Sequence, residues 1–183
     1  MQKNLAYYLG NILIVGSILC TALIYAPIML PQKSTPLSDE VRRNGTSIEI
    51  PAIDATAEIV LDVDPFDKSK YLVALDRGVA HAQGTAKPGE DGTIFLFAHS
   101  SLPPWEMTRV NTPFLSLQKL EYGHSVLITN QGKTETYIVF DRKEVWPNEV
   151  DYLANSEENM LILQTCTPLG TSLKRLLIFA KRV

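Results

Sequence analysis

From Asn4 to Gln32 the chain runs for 29 residues without a formal charge, most of them Leu, Ile, Val, Ala or Tyr. Such a stretch constrains everything after it, because a bilayer core of roughly 30 Å is crossed by about 20 apolar residues as helix. The best span lies between Leu9 and Leu30, with Tyr7, Tyr8 and Tyr25 where interfacial aromatics sit. Pro27 is close enough to the end to kink a helix rather than abolish it. A cleaved signal peptide is the rival reading. Ala26 suits a cut, but Ile24 is bulky and Pro27 follows. Cys20 follows Leu19, not the small residue that precedes a lipoprotein cysteine. The expectation is an uncleaved transmembrane anchor over residues 1–30. Lys3 lies on one side and Lys33, Arg42 and Arg43 on the other, so charge alone does not orient it.

Residues 31–45, within PQKSTPLSDEVRRNGT, are polar, carry proline and lack an apolar period, and read as a linker. A folded domain is expected over 46–183. Its net charge gives no reason to expect nucleic acid as a partner, since the whole chain stands at −3.

Most of that domain reads as strand. Short apolar or alternating runs recur at 47–50, 57–63, 79–84, 93–99, 125–130, 133–146, 160–165 and 175–181. Gln131-Gly132 marks a tight hairpin turn. Residues 69–78 are helix-like and stop at Gly78, and one or two helical turns are expected in 111–120, after a loop holding Pro103, Pro104 and Trp105. About eight strands with little helix make the fold class mainly β, as a barrel or a sandwich.

Three residues stand out by position: His99 ends one apolar strand, Cys166 ends another, and Arg175 opens the last. A thiol becomes a nucleophile beside an imidazole or a cation, and an arginine can hold a developing oxyanion. The set suits acyl transfer through a thioester. Each residue also has a bland reading: Cys166 as core packing, His99 as a strand-end side chain, and Arg182 in place of Arg175 as the important arginine. His81 and His124 lie in turn-rich contexts and read as structural or exposed. Three histidines and Cys166 without close ligand spacing do not make a zinc site, so no metal or cofactor is expected.

At these residues the chain resembles the sortases, membrane-anchored cysteine transpeptidases of the bacterial cell surface. ILQTC (162–166) matches the family's TLxTC signature, with Ile162 in place of the first Thr. CTPLGTSLKR puts Arg175 nine residues after Cys166, as in pilin-assembling and several housekeeping-like sortases. IFLFAHSS (94–101) is similar to the strand leading to the family histidine, with Ala98 where Gly is usual. SIEIPAID (47–54), GVAHAQGTAKPGEDGT (78–93) and FLSLQKLEYGHSVLIT (114–129) are similar to flanking segments, His124 standing where the turn usually carries Asp. DPF (64–66) has the composition of a pilin-type lid but lies after the first strand, and is set aside as chance.

The resemblance implies an eight-stranded β-barrel with short helices, and a domain outside the cell held by a single-pass anchor. It implies Cys166 as nucleophile, His99 as acid/base partner, Arg175 as oxyanion and substrate stabiliser, and Thr165 as a residue lining the substrate pocket. The partners implied are surface proteins carrying a C-terminal, L-P-x-T-G-like sorting signal and an amine acceptor, either a cell-wall peptide or a pilin lysine. A cysteine peptidase that releases product to water, and an anchored peptide-binding module without chemistry, are the alternatives. No apolar span after Val183 and no lid before Ser47 tilt the expectation towards anchoring proteins to the envelope.

Overall fold

The computed structural model describes residues 2–29, 37–100, 112–149 and 159–183. Asn111 and the loop with Pro103, Pro104 and Trp105 lie outside the described residues, as does most of the expected linker before Leu37.

The uncharged stretch forms one helix, α1 (Gln2–Met29). Its described large side chains, such as Leu13, Ile18 and Leu23, are exposed. Ser17 and Thr21 return their hydroxyls to the helix itself, donating to Ile14 O and Ser17 O at 2.8 Å each. Among the described residues, however, no helix is long and apolar enough to cross a membrane. Ser17 and Thr21 interrupt the apolar run within 7–23. Gly10, Asn11 and Gly16 dilute it further. The expected transmembrane helix is therefore present as a helix but not shown as a span.

The stretch read as a linker also holds structure. A short helix, α2 (Asp39–Asn44), begins at Ser38, whose Oγ accepts from Val41 N–H at 3.3 Å. Asp39 and Glu40 in its first turn oppose the positive end of the helix dipole.

Beyond it the chain closes into a barrel of eight strands in the order β1-β2-β3-β4-β7-β8-β6-β5. The strands are β1 (Thr46–Ile50), β2 (Ala55–Val63), β3 (Val79–Ala82), β4 (Ile94–Phe97), β5 (Ser125–Asn130), β6 (Lys133–Val145), β7 (Met160–Thr167) and β8 (Lys174–Arg182). Closure comes from β1 pairing with β5, Ser47 opposite Thr129. Local periodicity carries no trace of such a distant pairing, which is why the sequence leaves barrel and sandwich equal.

Side-chain alternation fills the inside. Leu161, Leu163, Ile178 and Ala180 meet across β7 and β8, while Ile48, Ile50, Val126 and Ile128 do so on the far side, all buried. Between β5 and β6 the chain turns on Gln131 and Gly132, both at positive φ (49° and 78°), the two-residue hairpin geometry that matches strand twist.

Among the described strands only β2–β3 and β4–β7 are parallel. The first of these crossovers is α3 (Lys68–Arg77), N-capped by Asp67, whose Oδ1 accepts from Ser69 N–H at 3.0 Å. The helix hands over to β3 through Gly78, where a Cβ would lie 2.5 Å from Glu58 O. Glycine is required there by the close approach of the two backbones.

Candidate active site

The parallel pair β4–β7 sets the site, because strands running the same way deliver their C-terminal ends to the same rim of the barrel. Their register runs from Ile94 opposite Leu161 to Phe97 opposite Gln164. Ladder pairing then gives way to two other bonds: Ala98 N–H donates to Gln164 O at 3.2 Å, and Thr165 Oγ1 donates to Ala98 O at 2.9 Å. His99 and Cys166, each the next residue along, therefore leave the strand pair at the same rim. Both are half-buried.

Arg175 reaches the same place from the other side. β7 and β8 are antiparallel, and Cys166 pairs directly with Arg175. The turn between them is built by Thr171, which donates both its N–H (3.0 Å) and its hydroxyl (2.8 Å) to Pro168 O, and by Gly170 at φ 82°. Nη1 of Arg175 lies 3.5 Å from Cys166 Sγ and donates to Ser172 O at 3.1 Å and Lys174 O at 3.2 Å. The turn carbonyls thus hold the guanidinium against the sulfur. A fixed cation is set where attack by the thiol on a carbonyl would build negative charge.

Thr165 is not placed to meet a substrate through its side chain. It is 2% exposed and its hydroxyl is spent on Ala98 O. Its evident task is to tie the backbone before His99 to the backbone before Cys166. Thr165→Val keeps the shape but leaves that buried carbonyl without its donor, and is expected to lower unfolding free energy by about 1–3 kcal/mol in denaturant titration. Unchanged stability would show that the bond contributes nothing.

Arg182, the rival arginine, stands at the opposite end of β8. Seven residues at about 3.3 Å each put it roughly 23 Å from Arg175. It is not simply solvated: Nη2 pairs with Asp91 Oδ1 at 2.8 Å and Nη1 with Glu135 Oε1 at 3.6 Å. His124 accepts from Glu121 N–H at 3.1 Å beside the β5 turn. His81 is fully buried, which its turn-rich surroundings did not announce.

Around the thiol and guanidinium lies an apolar rim that the sequence reading did not single out. Trp146, next to Val145 opposite Arg175, is half-exposed with Lys174 Nζ 5.3 Å from its ring centroid. Leu169 and Leu173 project from the β7–β8 turn. The one signal in sequence for the two leucines is their nearness to Cys166. Among the described residues no group of three or more His, Cys, Asp or Glu is placed to hold a metal.

A closed, mainly β barrel with a thiol and a guanidinium paired at one rim is a sortase-like arrangement, and a family model described as "Sortase domain" matches residues 48–183. The chain belongs to the sortase family, whose members are in general cysteine transpeptidases that anchor proteins or assemble pili. It is 30% identical over 140 residues to Sortase D of Bacillus subtilis (strain 168), an alignment taking in 74% of this chain and 62% of that protein, so the chain spans less than two thirds of that relative. Among solved structures it is similar to a lid mutant of sortase A from Corynebacterium diphtheriae (31% identity, TM-score 0.64, 78% of this chain and 71% of that one). It is also similar to sortase C1 from Streptococcus suis (26%, 0.63, 79% and 75%). A Clostridium perfringens sortase D5 transpeptidase is a third such structure (25%, 0.61, 76% and 79%).

Proposed function

We propose that this chain is a transpeptidase that cleaves an L-P-x-T-G-like sorting signal through a thioester on Cys166 and passes the acyl group to an amine, anchoring proteins to the cell envelope. The observation that carries the reading is the 3.5 Å contact between Arg175 Nη1 and Cys166 Sγ at the end of the strand pair that also delivers His99. In the forward half-reaction the Cys166 thiolate attacks the carbonyl carbon before the scissile bond. Arg175 steadies the oxyanion, the C–N bond breaks, and the leaving amine takes a proton from His99. In the second half an acceptor amine attacks the thioester and yields its proton to His99, and the thiolate leaves. Trp146, Leu169 and Leu173 offer apolar surface beside the sulfur for an extended peptide, and Thr165 acts behind the site by holding Ala98.

The test is intact-mass spectrometry of the protein mixed with a pool of sorting-signal peptides, with and without an added amine. An acyl adduct on Cys166 that is discharged to the amine is the expected result. Discharge to water alone would make the enzyme a cysteine peptidase. Peptide binding without any adduct would make it a binding module.

The same proposal places the domain at the outer face of the cell membrane, tethered through residues 1–30. Support comes from the uncharged stretch of 29 residues, the exposed apolar side chains of α1, and the self-satisfied hydroxyls of Ser17 and Thr21. In fractionated cells the full chain is expected to stay with membranes through a high-salt wash and to be freed by detergent. Recovery in the soluble fraction would remove the tether from the proposal.

A further inference from the structure

The strand that leads to His99 has only four residues, and its beginning is fastened by one imidazole that the proposed chemistry does not use. His81, on β3, is 0% exposed. Its Nδ1 accepts from Asp62 N–H at 3.2 Å, so the ring proton belongs on Nε2. Nε2 lies 3.0 Å from Ala86 O and 3.0 Å from Thr85 Oγ1. The hydroxyl proton of Thr85 goes to Ala82 O at 2.8 Å, which leaves the imidazole as donor to Oγ1.

The two residues held by His81 are the ones that hold β4. Thr85 Oγ1 accepts from Phe95 N–H at 3.4 Å, and Ala86 N–H donates to Thr93 O at 2.9 Å. β3 itself adds only two register pairs to β4, Ala80 with Phe97 and His81 with Leu96. His81 is therefore the hub joining β2, the 85–86 turn and the start of the strand that presents His99.

We propose that His81 is a positioning residue: its neutral ring clamps the 85–86 turn onto β4 and so fixes where His99 is delivered, and protonation of the ring releases the clamp and reversibly switches the site off. The proposal rests on the reading of His99 as the acid/base partner. The geometry allows one protonation state. A proton on Nδ1 would face the Asp62 N–H across 3.2 Å, donor against donor, and would place a charge where no water reaches.

The charged groups around the ring are Asp62 on β2 and Lys87 and Glu90 on the turn, while β4 presents the apolar Phe95 and Leu96. Asp62 and Glu90 favour the imidazolium, but the Asp62 carboxylate is already paired with Lys87 at 2.6 Å. Burial prevails and holds the ring below its ordinary 6.5, against the pull of the Ala86 carbonyl and Asp62. The sign follows: the open state binds more protons, so the clamp is fully held above the ordinary imidazole range and is lost as pH falls through and below it.

Amide hydrogen exchange on the full chain tests this at about pH 7.5 and about pH 5, with intrinsic rates divided out. Residues 93–97 are expected to lose protection by about tenfold or more on acidification, while the 125–138 hairpin keeps its own. His81→Asn, which offers an acceptor near Nδ1 and does not titrate, is expected to show protection of 93–97 that is flat with pH. Turnover of a sorting peptide should fall in kcat with that protection in the wild type, with KM little changed. The clamp is overturned if 93–97 keep their protection relative to the hairpin, or lose it equally in His81→Asn. The wild-type comparison needs no variant, so it decides alone if His81→Asn does not fold. Loss of protection in a protein that forms no adduct at either pH would leave the clamp standing and remove the proposed transpeptidase reading instead.

Discussion

Cys166→Ala is expected to form no acyl adduct with any peptide and to release no product, while the barrel stays intact. The sulfur is the nucleophile that opens the scissile bond in the proposed reaction, and its loss removes the covalent route itself. The cost to the fold should be small, because Cys166 is half-buried and its backbone pairing with Arg175 does not depend on the side chain. Mass spectrometry reads the first point and circular dichroism with thermal melting reads the second. Turnover retained by Cys166→Ala would sink the mechanism outright.

Arg175→Ala is expected to lower kcat/KM by about two to three orders of magnitude, the usual cost of removing an oxyanion donor. Arg182→Ala supplies the control. It breaks the contacts to Asp91 and Glu135 at the far end of β8, so it should lower stability and leave the rate near that of the wild type. The opposite pattern, a normal rate in Arg175→Ala and a collapse in Arg182→Ala, would show that the 3.5 Å contact to sulfur is incidental. Arg175→Lys is expected to recover only part of the loss, since an ammonium keeps the charge but not the fixed fork that the turn carbonyls hold in place.

How much of this was legible in the sequence depended on how far apart the cooperating residues lie along the chain. Strands β1, β5 and β8 begin and end within a residue of where alternation puts them, because half-burial repeats locally. β4 stops at Phe97, short of the expected His99, since Thr165 supplies a side-chain bond to Ala98 O in place of a ladder bond. Nothing local reports a substitution of that kind. α2 hid in an apparently structureless stretch because six residues are too few to show a period, although Ser38, Asp39 and Glu40 carried the start signal. The pairing of Cys166 with Arg175 was readable as a spacing, nine residues with a Pro/Gly turn between. For His81 the sequence left structural and exposed readings side by side, and the structure places it inside. Its flanking Ala80 and Ala82, both small and buried, were the available hint that an imidazole was being packed inside.

The two halves of the site also differ in what they cost to assemble. Cys166 and Arg175 are separated by nine positions, whereas the bond from Thr165 to Ala98 joins residues 67 apart. Chain closure over the longer interval costs about 1.8 kcal/mol more entropy, from the logarithmic dependence on loop length. A chain that has so far made only its last hairpin already holds Cys166 against Arg175, before His99, the proposed proton donor, is in place. Maturation of the barrel, through the non-local docking of β4, is thus what would convert an inert thiol hairpin into an enzyme.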